Sequence, residues 1–158
     1  AEMRQRLTEG RHNIRPCPGA KELVARLAAH NEVLLGLLTG NFPATAALKL
    51  RAAGFDPTLF KVGVYGDASE ERADLPLLAV EQAVRLTGVR FRGQQIVIIG
   101  DTPADVVCGR NVGARSIAVL TGWSTREELE AAGAHYIFED LTDTEAVLEA
   151  IFAPEGAA

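Results

Sequence analysis

Cysteine and histidine are scarce in this sequence, which argues against the protein classes that depend on them. The 158 residues include two cysteines, Cys17 and Cys108, and three histidines. Two cysteines so far apart in the chain match neither the disulfide framework of a small secreted domain nor a zinc site. The histidines are scattered, without the spacing of a histidine zinc site. We expect Cys108 to pack as a small apolar side chain.

The sequence also lacks a long hydrophobic run and an excess of basic charge. No apolar stretch approaches the roughly 18 residues of a membrane-spanning helix. The first ten residues, AEMRQRLTEG, lack the apolar core of a signal peptide. There are 16 lysines and arginines against 21 aspartates and glutamates, a net charge of −5, which predicts neither a nucleic acid nor an anionic membrane as partner. We expect a soluble, cytoplasmic, globular domain.

Along the sequence, continuous apolar runs alternate with amphipathic stretches. Hydrophobic residues make up 47% of the chain, enough for one domain with a buried core. Continuous apolar runs predict strands covered on both faces, and apolar residues at helical spacing predict helices. The predicted strands are residues 33–38, 61–65, 95–99, 116–120 and 135–138, and the predicted helices are residues 20–30, 43–53, 74–86, 103–111, 126–132 and 144–152.

Strands separated by helices predict right-handed crossovers, and therefore an α/β fold with a mostly parallel sheet. Ligands bind such sheets at the carboxyl ends of the strands. Three polar segments follow predicted strands: Thr39-Gly40-Asn41, residues 66–72 and residues 100–105. We expect these segments to converge at one edge of the sheet.

Two predictions concern the core. In the helix over residues 74–86, the spacing of Leu77, Leu78 and Val84 predicts that they face the sheet. Trp123 follows a predicted strand, and we expect it to close a loop over the core rather than to cover the carboxyl edge.

The segment IVIIGDTPAD carries the sharpest chemical signal. Gly100 permits close approach of a ligand beside Asp101, and Asp105 follows four residues later. One helical turn can therefore bring both carboxylates to the same side of a site. Two such carboxylates would suit Mg²⁺, which prefers oxygen ligands. The alternative, that Asp101 only caps the following helix, stays open.

The other two segments carry weaker signals. Thr39, with its neighbours Gly40 and Asn41, offers a hydroxyl and backbone amides that can hold phosphate oxygens, although a turn explains the same residues. Arg72 stands among acidic residues ahead of a helix and can offset charge on a phosphoryl group. A solvated loop of mixed charge is the alternative for Arg72.

In this order the three segments resemble the haloacid dehalogenase (HAD) superfamily of phosphohydrolases, which use an aspartate nucleophile. The phosphoglycolate-phosphatase-like branch is most similar, over the range from Pro16 to Ile151. The resemblance implies a Rossmann-like parallel sheet flanked by helices. It also implies that Thr39 hydrogen-bonds the transferring phosphoryl group, and that Gly40 and Asn41 bind substrate beside it.

The resemblance extends to the remaining motifs. The sequence GDTPAD matches the family's fourth motif, which implies that Asp101 is a Mg²⁺ ligand with Asp105 as its acidic partner. The third motif of the family carries a cation that contacts the substrate. Arg72 is the counterpart of that cation here, and Lys61 is the alternative.

One part of the family pattern is missing from the sequence. The first motif, Asp-x-Asp, supplies the nucleophile, yet it occurs nowhere in this chain, whose first aspartate is Asp56. The family's first strand and most of its cap are also unmatched. We therefore interpret residues 1–15 as a remnant of a cap or linker helix and residues 16–158 as the core domain. In the family's sheet the first strand lies between the strand that ends at Thr39 and the one that ends at Asp101, so the resemblance implies a gap there. We expect a missing N-terminal segment or a second chain to fill it.

For a full-length parent protein, the resemblance implies a Mg²⁺-dependent phosphatase. The substrate would be a small phosphorylated metabolite, and the reaction would pass through an aspartyl-phosphate. The 158 residues alone are expected to be inactive, because the nucleophile is not among them. Two alternatives stay open: a dehalogenase or phosphomutase of the same superfamily, or a non-catalytic α/β subunit.

Overall fold

The structure is a computed structural model that describes residues 14–156. Strands and helices alternate along this part of the chain. The helices are α1 (Ala20–Ala28), α2 (Pro43–Ala52), α3 (Leu75–Thr87), α4 (Pro103–Cys108), α5 (Arg126–Ala131) and α6 (Thr144–Phe152). The strands are β1 (Gly36–Leu38), β2 (Val62–Val64), β3 (Val97–Gly100), β4 (Arg115–Val119) and β5 (Tyr136–Phe138). Every predicted strand and helix is present, with ends that differ by a few residues. Most of the predicted cap remnant lies outside the described residues.

All strand pairs in residues 14–156 are parallel, which confirms the predicted α/β class. In the smaller sheet β1 pairs with β2, with Gly36 opposite Val62. In the larger sheet β4 lies between β3 and β5, with Val97 opposite Arg115. The strands thus form two separate sheets, of two and three strands, rather than one continuous sheet.

Local sequence explains where several helices begin and end. Thr102 and Thr125 precede α4 and α5, and each side chain accepts a hydrogen bond from the backbone N–H three residues later. These are capping boxes, which satisfy amides that the first helical turn leaves free. Gly88 ends α3 in the left-handed region, with φ of 73°.

Helix α4 is shorter than the prediction over residues 103–111. It ends at Cys108, and residues Arg110–Val112 form a 3₁₀ turn. The chain passes so close to β3 at Gly109 that a Cβ there would lie 2.6 Å from Ile98 Cδ1. Gly109 is therefore a position of close approach between this segment and the strand.

The core lies on both faces of β4, all five residues of which are buried. On one face Val119 packs with Leu23 and Leu27 of α1 and with residues of α6. On the other face Ala118 packs with residues of α4 and α5. Cys108 is buried, as predicted. None of the helices in residues 14–156 combines the length and apolarity needed to cross a membrane.

The prediction for Leu77 is wrong. Its side chain is 51% exposed, while Val80 and Ala83 of the same helix are buried. Residues 76, 80 and 83 are four and three positions apart and share one helix face, and Leu77 lies a turn of about 100° away from Pro76. Leu78 and Val84 are partly buried, in line with the prediction.

A cavity of about 680 Å³ separates the two sheets. Residues 34–38 of the β1 segment and residues 96–99 of the β3 segment line it. In the described part of the chain, neither strand has a partner on the side that faces the cavity. This is the position at which the family resemblance implies a gap.

Candidate active site

Loops that follow β1, β2 and β3 meet at the carboxyl edge, as predicted. The loop after β1 contacts the one after β2, because Gly66 N donates to Asn41 O at 3.1 Å. A Cβ on Gly66 would overlap the Gly40 carbonyl, so this close approach requires glycine. The loop after β2 contacts the segment after β3 through an ion pair of Arg72 with Asp105.

Thr39 organises the first loop. Its Oγ1 accepts hydrogen bonds from the backbone N of Asn41 at 3.1 Å and from Asn41 Nδ2 at 2.8 Å. Both bonds use acceptor lone pairs, so the hydroxyl hydrogen of Thr39 is free to donate to a ligand. The turn interpretation and the ligand interpretation of this loop are therefore compatible.

Lys49 is a cation at this site that the sequence analysis missed. Its Nζ donates to Asn41 Oδ1 at 2.9 Å, from the C-terminal half of α2. This links Lys49 to Thr39 through one amide side chain. The signal in the sequence is weak, since Lys49 looks like an ordinary solvent-facing lysine in an amphipathic helix.

Asp105 holds the start of α4 together. Its Oδ2 accepts from Asp101 N at 3.0 Å, from Thr102 N at 3.1 Å and from Thr102 Oγ1 at 2.9 Å. Its Oδ1 accepts from Arg72 Nη2. Both oxygens of this carboxylate are therefore in use within the protein. Asp105 thus contacts the backbone of Asp101, and helix capping falls to Asp105 and Thr102, not to the Asp101 side chain.

These contacts outweigh the effect of burial on the pKa of Asp105. Partial burial by itself raises the pKa of the carboxyl group. Hydrogen bonds from Arg72 and Thr102, the charge of Arg72 and the amide of Asp101 lower it more, so the pKa lies below its ordinary value of 3.8. Asp105 is therefore ionised at neutral pH.

Asp101 is placed differently from Asp105. Its side chain is half-buried at the end of β3, and a Cβ on Gly122 would overlap its carboxylate. Within residues 14–156, no hydrogen bond or ion pair reaches that carboxylate. A half-buried carboxylate without a protein partner is suited to bind a cation or a hydrogen-bond donor of a ligand.

The described residues do not by themselves form a metal site. No group of three or more His, Cys, Asp or Glu side chains in residues 14–156 lies close enough to hold a metal ion. Mg²⁺, however, is commonly bound through one or two carboxylates, with waters and substrate phosphate completing its coordination. Asp101 fits the role of one such carboxylate. Asp105, predicted as the second ligand, would have to give up existing hydrogen bonds.

The two candidates for the third-motif cation lie at opposite ends of β2. Lys61 precedes this strand, at its amino end, where its backbone N bonds to Leu35 O. Arg72 follows the strand and contacts Asp105. Only Arg72 therefore lies at the carboxyl edge, and its role as the substrate cation stays a prediction.

The prediction that Trp123 packs on the core is wrong. Its side chain is fully exposed, in the loop that follows β4. The adjacent Gly122 packs against Asp101 instead, so the loop closes on the site through backbone. Phe42, after β1, is also exposed at this edge.

The sequence is similar to those of known hydrolases and phosphatases. A family model described as HAD-hydrolase-like matches residues 76–144. A phosphoglycolate phosphatase of Rhodospirillum rubrum is 31% identical over 126 residues, which are 78% of this chain and 48% of that protein. A phosphoglycolate phosphatase of Synechococcus elongatus is 27% identical over 128 residues, 80% of this chain and 56% of that protein. The chain thus spans about half the length of the curated relatives it matches.

Solved structures share the fold. The crystal structure of a hydrolase from Pseudomonas syringae superposes with a TM-score of 0.68 and 28% identity, covering 84% of this chain and 61% of that one. A haloacid dehalogenase-like protein from Agrobacterium tumefaciens superposes with a TM-score of 0.70 over 93% of this chain and 64% of that one; at 19% identity, it supports the fold alone. The parallel α/β fold, the three loops at its carboxyl edge and these matches make the chain similar to proteins of the haloacid dehalogenase superfamily.

Proposed function

We propose that this chain supplies the phosphoryl-binding and metal-binding edge of a Mg²⁺-dependent phosphatase, a phosphoric monoester hydrolase. The main support is the arrangement at the carboxyl edge. The carboxylate of Asp101 has no partner among the described residues and lies beside the Arg72–Asp105 ion pair. Thr39 lies at the same edge. Cations, a free hydroxyl and a free carboxylate at one edge are the groups that phosphoryl transfer requires. The relatives named phosphoglycolate phosphatase support the same reaction class.

Thr39 and Lys49 would bind phosphoryl oxygens on the β1 side of the edge. The Thr39 hydroxyl retains its hydrogen for donation, because both of its contacts to Asn41 are accepted bonds. Lys49 would neutralise part of the phosphate charge, from its position on Asn41 Oδ1. The amide of Gly40 lies in the same turn and would add a neutral donor.

Arg72 would bind the phosphoryl group from the β2 side. Its guanidinium has five N–H donors, and the contact with Asp105 uses one nitrogen. The side chain is 44% exposed, so the remaining donors are accessible. Asp105 holds the guanidinium in place, and we therefore propose that Asp105 is a positioning residue.

Asp101 would hold Mg²⁺ with its carboxylate. When bound, Mg²⁺ would offset negative charge on the phosphoryl oxygens. We propose that the attacking carboxylate is an aspartate from outside this sequence, which displaces the alcohol from phosphorus and forms an aspartyl-phosphate. Water then hydrolyses that acyl phosphate and releases inorganic phosphate.

The test is phosphate release from phosphoglycolate and from p-nitrophenyl phosphate by the full-length protein, measured across a Mg²⁺ titration. We expect Asp101→Asn to lower turnover by about 10² or more and to raise the Mg²⁺ concentration for half-maximal rate. Glu149→Gln, at an exposed carboxylate on α6, is the matched control and should leave both unchanged. Full turnover of the Asp101 variant at limiting as well as saturating Mg²⁺ would contradict the proposal.

A further inference from the structure

Lys49 determines which way the side-chain amide of Asn41 faces. Turning an amide over exchanges an acceptor oxygen for a donor nitrogen in nearly the same place. The ammonium of Lys49 has donors but no acceptor, and its Nζ lies 2.9 Å from Asn41 Oδ1. Because two donors cannot bond to each other, the amide oxygen has to face Lys49. The amide nitrogen therefore faces Thr39, with Nδ2 at 2.8 Å from Oγ1.

Backbone contacts hold the rest of this loop, so the amide is its adjustable part. Thr39 N donates to Val64 O at 3.1 Å, which continues the pairing of β1 with β2. Asn41 O accepts from Gly66 N at 3.1 Å. The bond from Asn41 N to Thr39 Oγ1, at 3.1 Å, involves only the backbone of Asn41. Turning the amide over would therefore change only its bonds to Lys49 and Thr39.

The orientation of the amide decides what the hydroxyl hydrogen of Thr39 can do. With Nδ2 towards Thr39, Oγ1 accepts two hydrogen bonds, which occupy both of its lone pairs. Its hydrogen has no acceptor within residues 14–156 and is left for a ligand. With the amide turned over, Oδ1 of Asn41 would accept that hydrogen, and the hydroxyl would have nothing to donate.

The surroundings of Lys49 suit this role. The side chain is half-buried near the end of α2 and forms no ion pair with a carboxylate in the described part of the chain. Its charge therefore polarises the Asn41 amide, which makes Nδ2 a stronger donor to Thr39 and the Thr39 O–H group more polar. A Cβ on Gly40 would meet none of the described residues beyond its neighbours within 4 Å, so the space beside the loop is open.

We propose that Lys49 and Asn41 are positioning residues that reserve the Thr39 hydroxyl hydrogen for a phosphoryl oxygen of the substrate. This proposal rests on the proposed function, in which Thr39 contacts the phosphoryl group. It is additional to the charge that Lys49 would contribute there, because it acts through Asn41. The oxygens of an ionised phosphate monoester only accept hydrogen bonds, so such a substrate requires the amide orientation that Lys49 imposes.

The first test observes the amide without a ligand, by NMR of the isotopically labelled 158-residue chain. The side-chain signals of Asn41 are identified by their loss in Asn41→Asp. We expect Lys49→Met to shift these signals and to speed their exchange with water, and Lys49→Arg, which keeps the donors, to restore slow exchange. The matched control is Arg51→Met, which removes an exposed charge from the same helix and should leave the Asn41 signals in place. Identical Asn41 signals in Lys49→Met and in the unsubstituted chain would overturn the proposal.

The second test measures the affinity for inorganic phosphate by calorimetry in the presence of Mg²⁺. We expect Lys49→Met and Thr39→Val each to weaken binding about tenfold, and Arg51→Met to change it less than about twofold. Because Lys49 acts through Thr39, the double variant should bind at least about threefold more tightly than the product of the two losses predicts. Losses that simply multiply would overturn the proposal.

The third test separates positioning from charge with Asn41→Asp. This carboxylate can hold Lys49 with one oxygen and accept the Thr39 hydrogen with the other, so the hydroxyl no longer donates to phosphate. In this background Thr39→Val should change phosphate affinity by less than about twofold. An undiminished effect of Thr39→Val would contradict the proposal. The absence of phosphate binding by the unsubstituted chain is a different failure, because it contradicts the proposed function itself and this proposal with it.

Discussion

Replacement of Asp105 by alanine tests how much one carboxylate stabilises the candidate site. Three donors lose their acceptor in this variant: the backbone amides of Asp101 and Thr102 and the Thr102 hydroxyl. Each hydrogen bond contributes about 1 kcal/mol, and a donor left without a partner costs more, so the sum is about 2–4 kcal/mol of unfolding free energy. The ion pair with Arg72 adds at most about 1 kcal/mol, because the guanidinium is 44% exposed.

Urea denaturation of the Asp105→Ala variant measures this loss directly. Asp105→Asn is the informative companion, because it keeps one oxygen acceptor and removes the charge. We expect it to lose about half as much as the alanine variant. A loss below about 0.5 kcal/mol for Asp105→Ala would refute the reasoning, since the capping box would then contribute nothing measurable.

The same residue predicts a pH dependence with a definite sign. The pKa of Asp105 is lower in the folded protein than its ordinary value of 3.8. Its ionised form therefore stabilises the folded state above pH 3.8, and that stabilisation is lost as the pH falls through the lowered folded pKa. The stability difference between the native protein and Asp105→Asn should shrink in that acidic range. A difference that grows on acidification would show that the sign is wrong.

Three further predictions concern Arg115, Gly66 and Trp123. Arg115 is wholly buried and donates to the last carbonyls of α6 and the residues after it, so Arg115→Lys should lower the unfolding free energy by about 3 kcal/mol, measured in urea. In Gly66→Ala the new Cβ would overlap the Gly40 carbonyl and displace the Thr39 loop. We therefore expect phosphate affinity to fall about tenfold in a calorimetric titration. An unchanged affinity would mean that the loop adapts to the added methyl group. Trp123 is fully exposed, so acrylamide should quench its fluorescence nearly as well as that of free tryptophan, and strong protection would contradict the structure.

The alternation of strands and helices could be predicted from the sequence, because continuous apolar runs and helical spacing are local signals. The convergence of Thr39, Arg72 and Asp105 at one edge follows from the same pattern, since parallel strands bring their carboxyl ends together. The gap between β1 and β3 was predicted from the missing first motif rather than from any physical pattern within these residues.

Other features depend on contacts that are remote in sequence. Arg115 is buried because its guanidinium meets backbone carbonyls more than 30 residues later, and carbonyls leave no trace in the side-chain pattern. Lys49 reaches the site through Asn41, eight residues earlier. Trp123 was assigned to the core on its size alone, whereas the loop packs through Gly122. In each case tertiary packing decided the outcome.

The central claim is that the carboxyl edge binds a phosphoryl group together with Mg²⁺. The most direct measurement is a titration of the isotopically labelled chain with inorganic phosphate, with and without Mg²⁺, followed by amide chemical shifts in NMR. The account predicts that shifts concentrate at Gly40, Asn41 and Thr102, that Mg²⁺ strengthens phosphate binding, and that Asp101→Asn abolishes this strengthening. Shifts spread over the surface, or phosphate binding that is indifferent to both Mg²⁺ and Asp101, would contradict it.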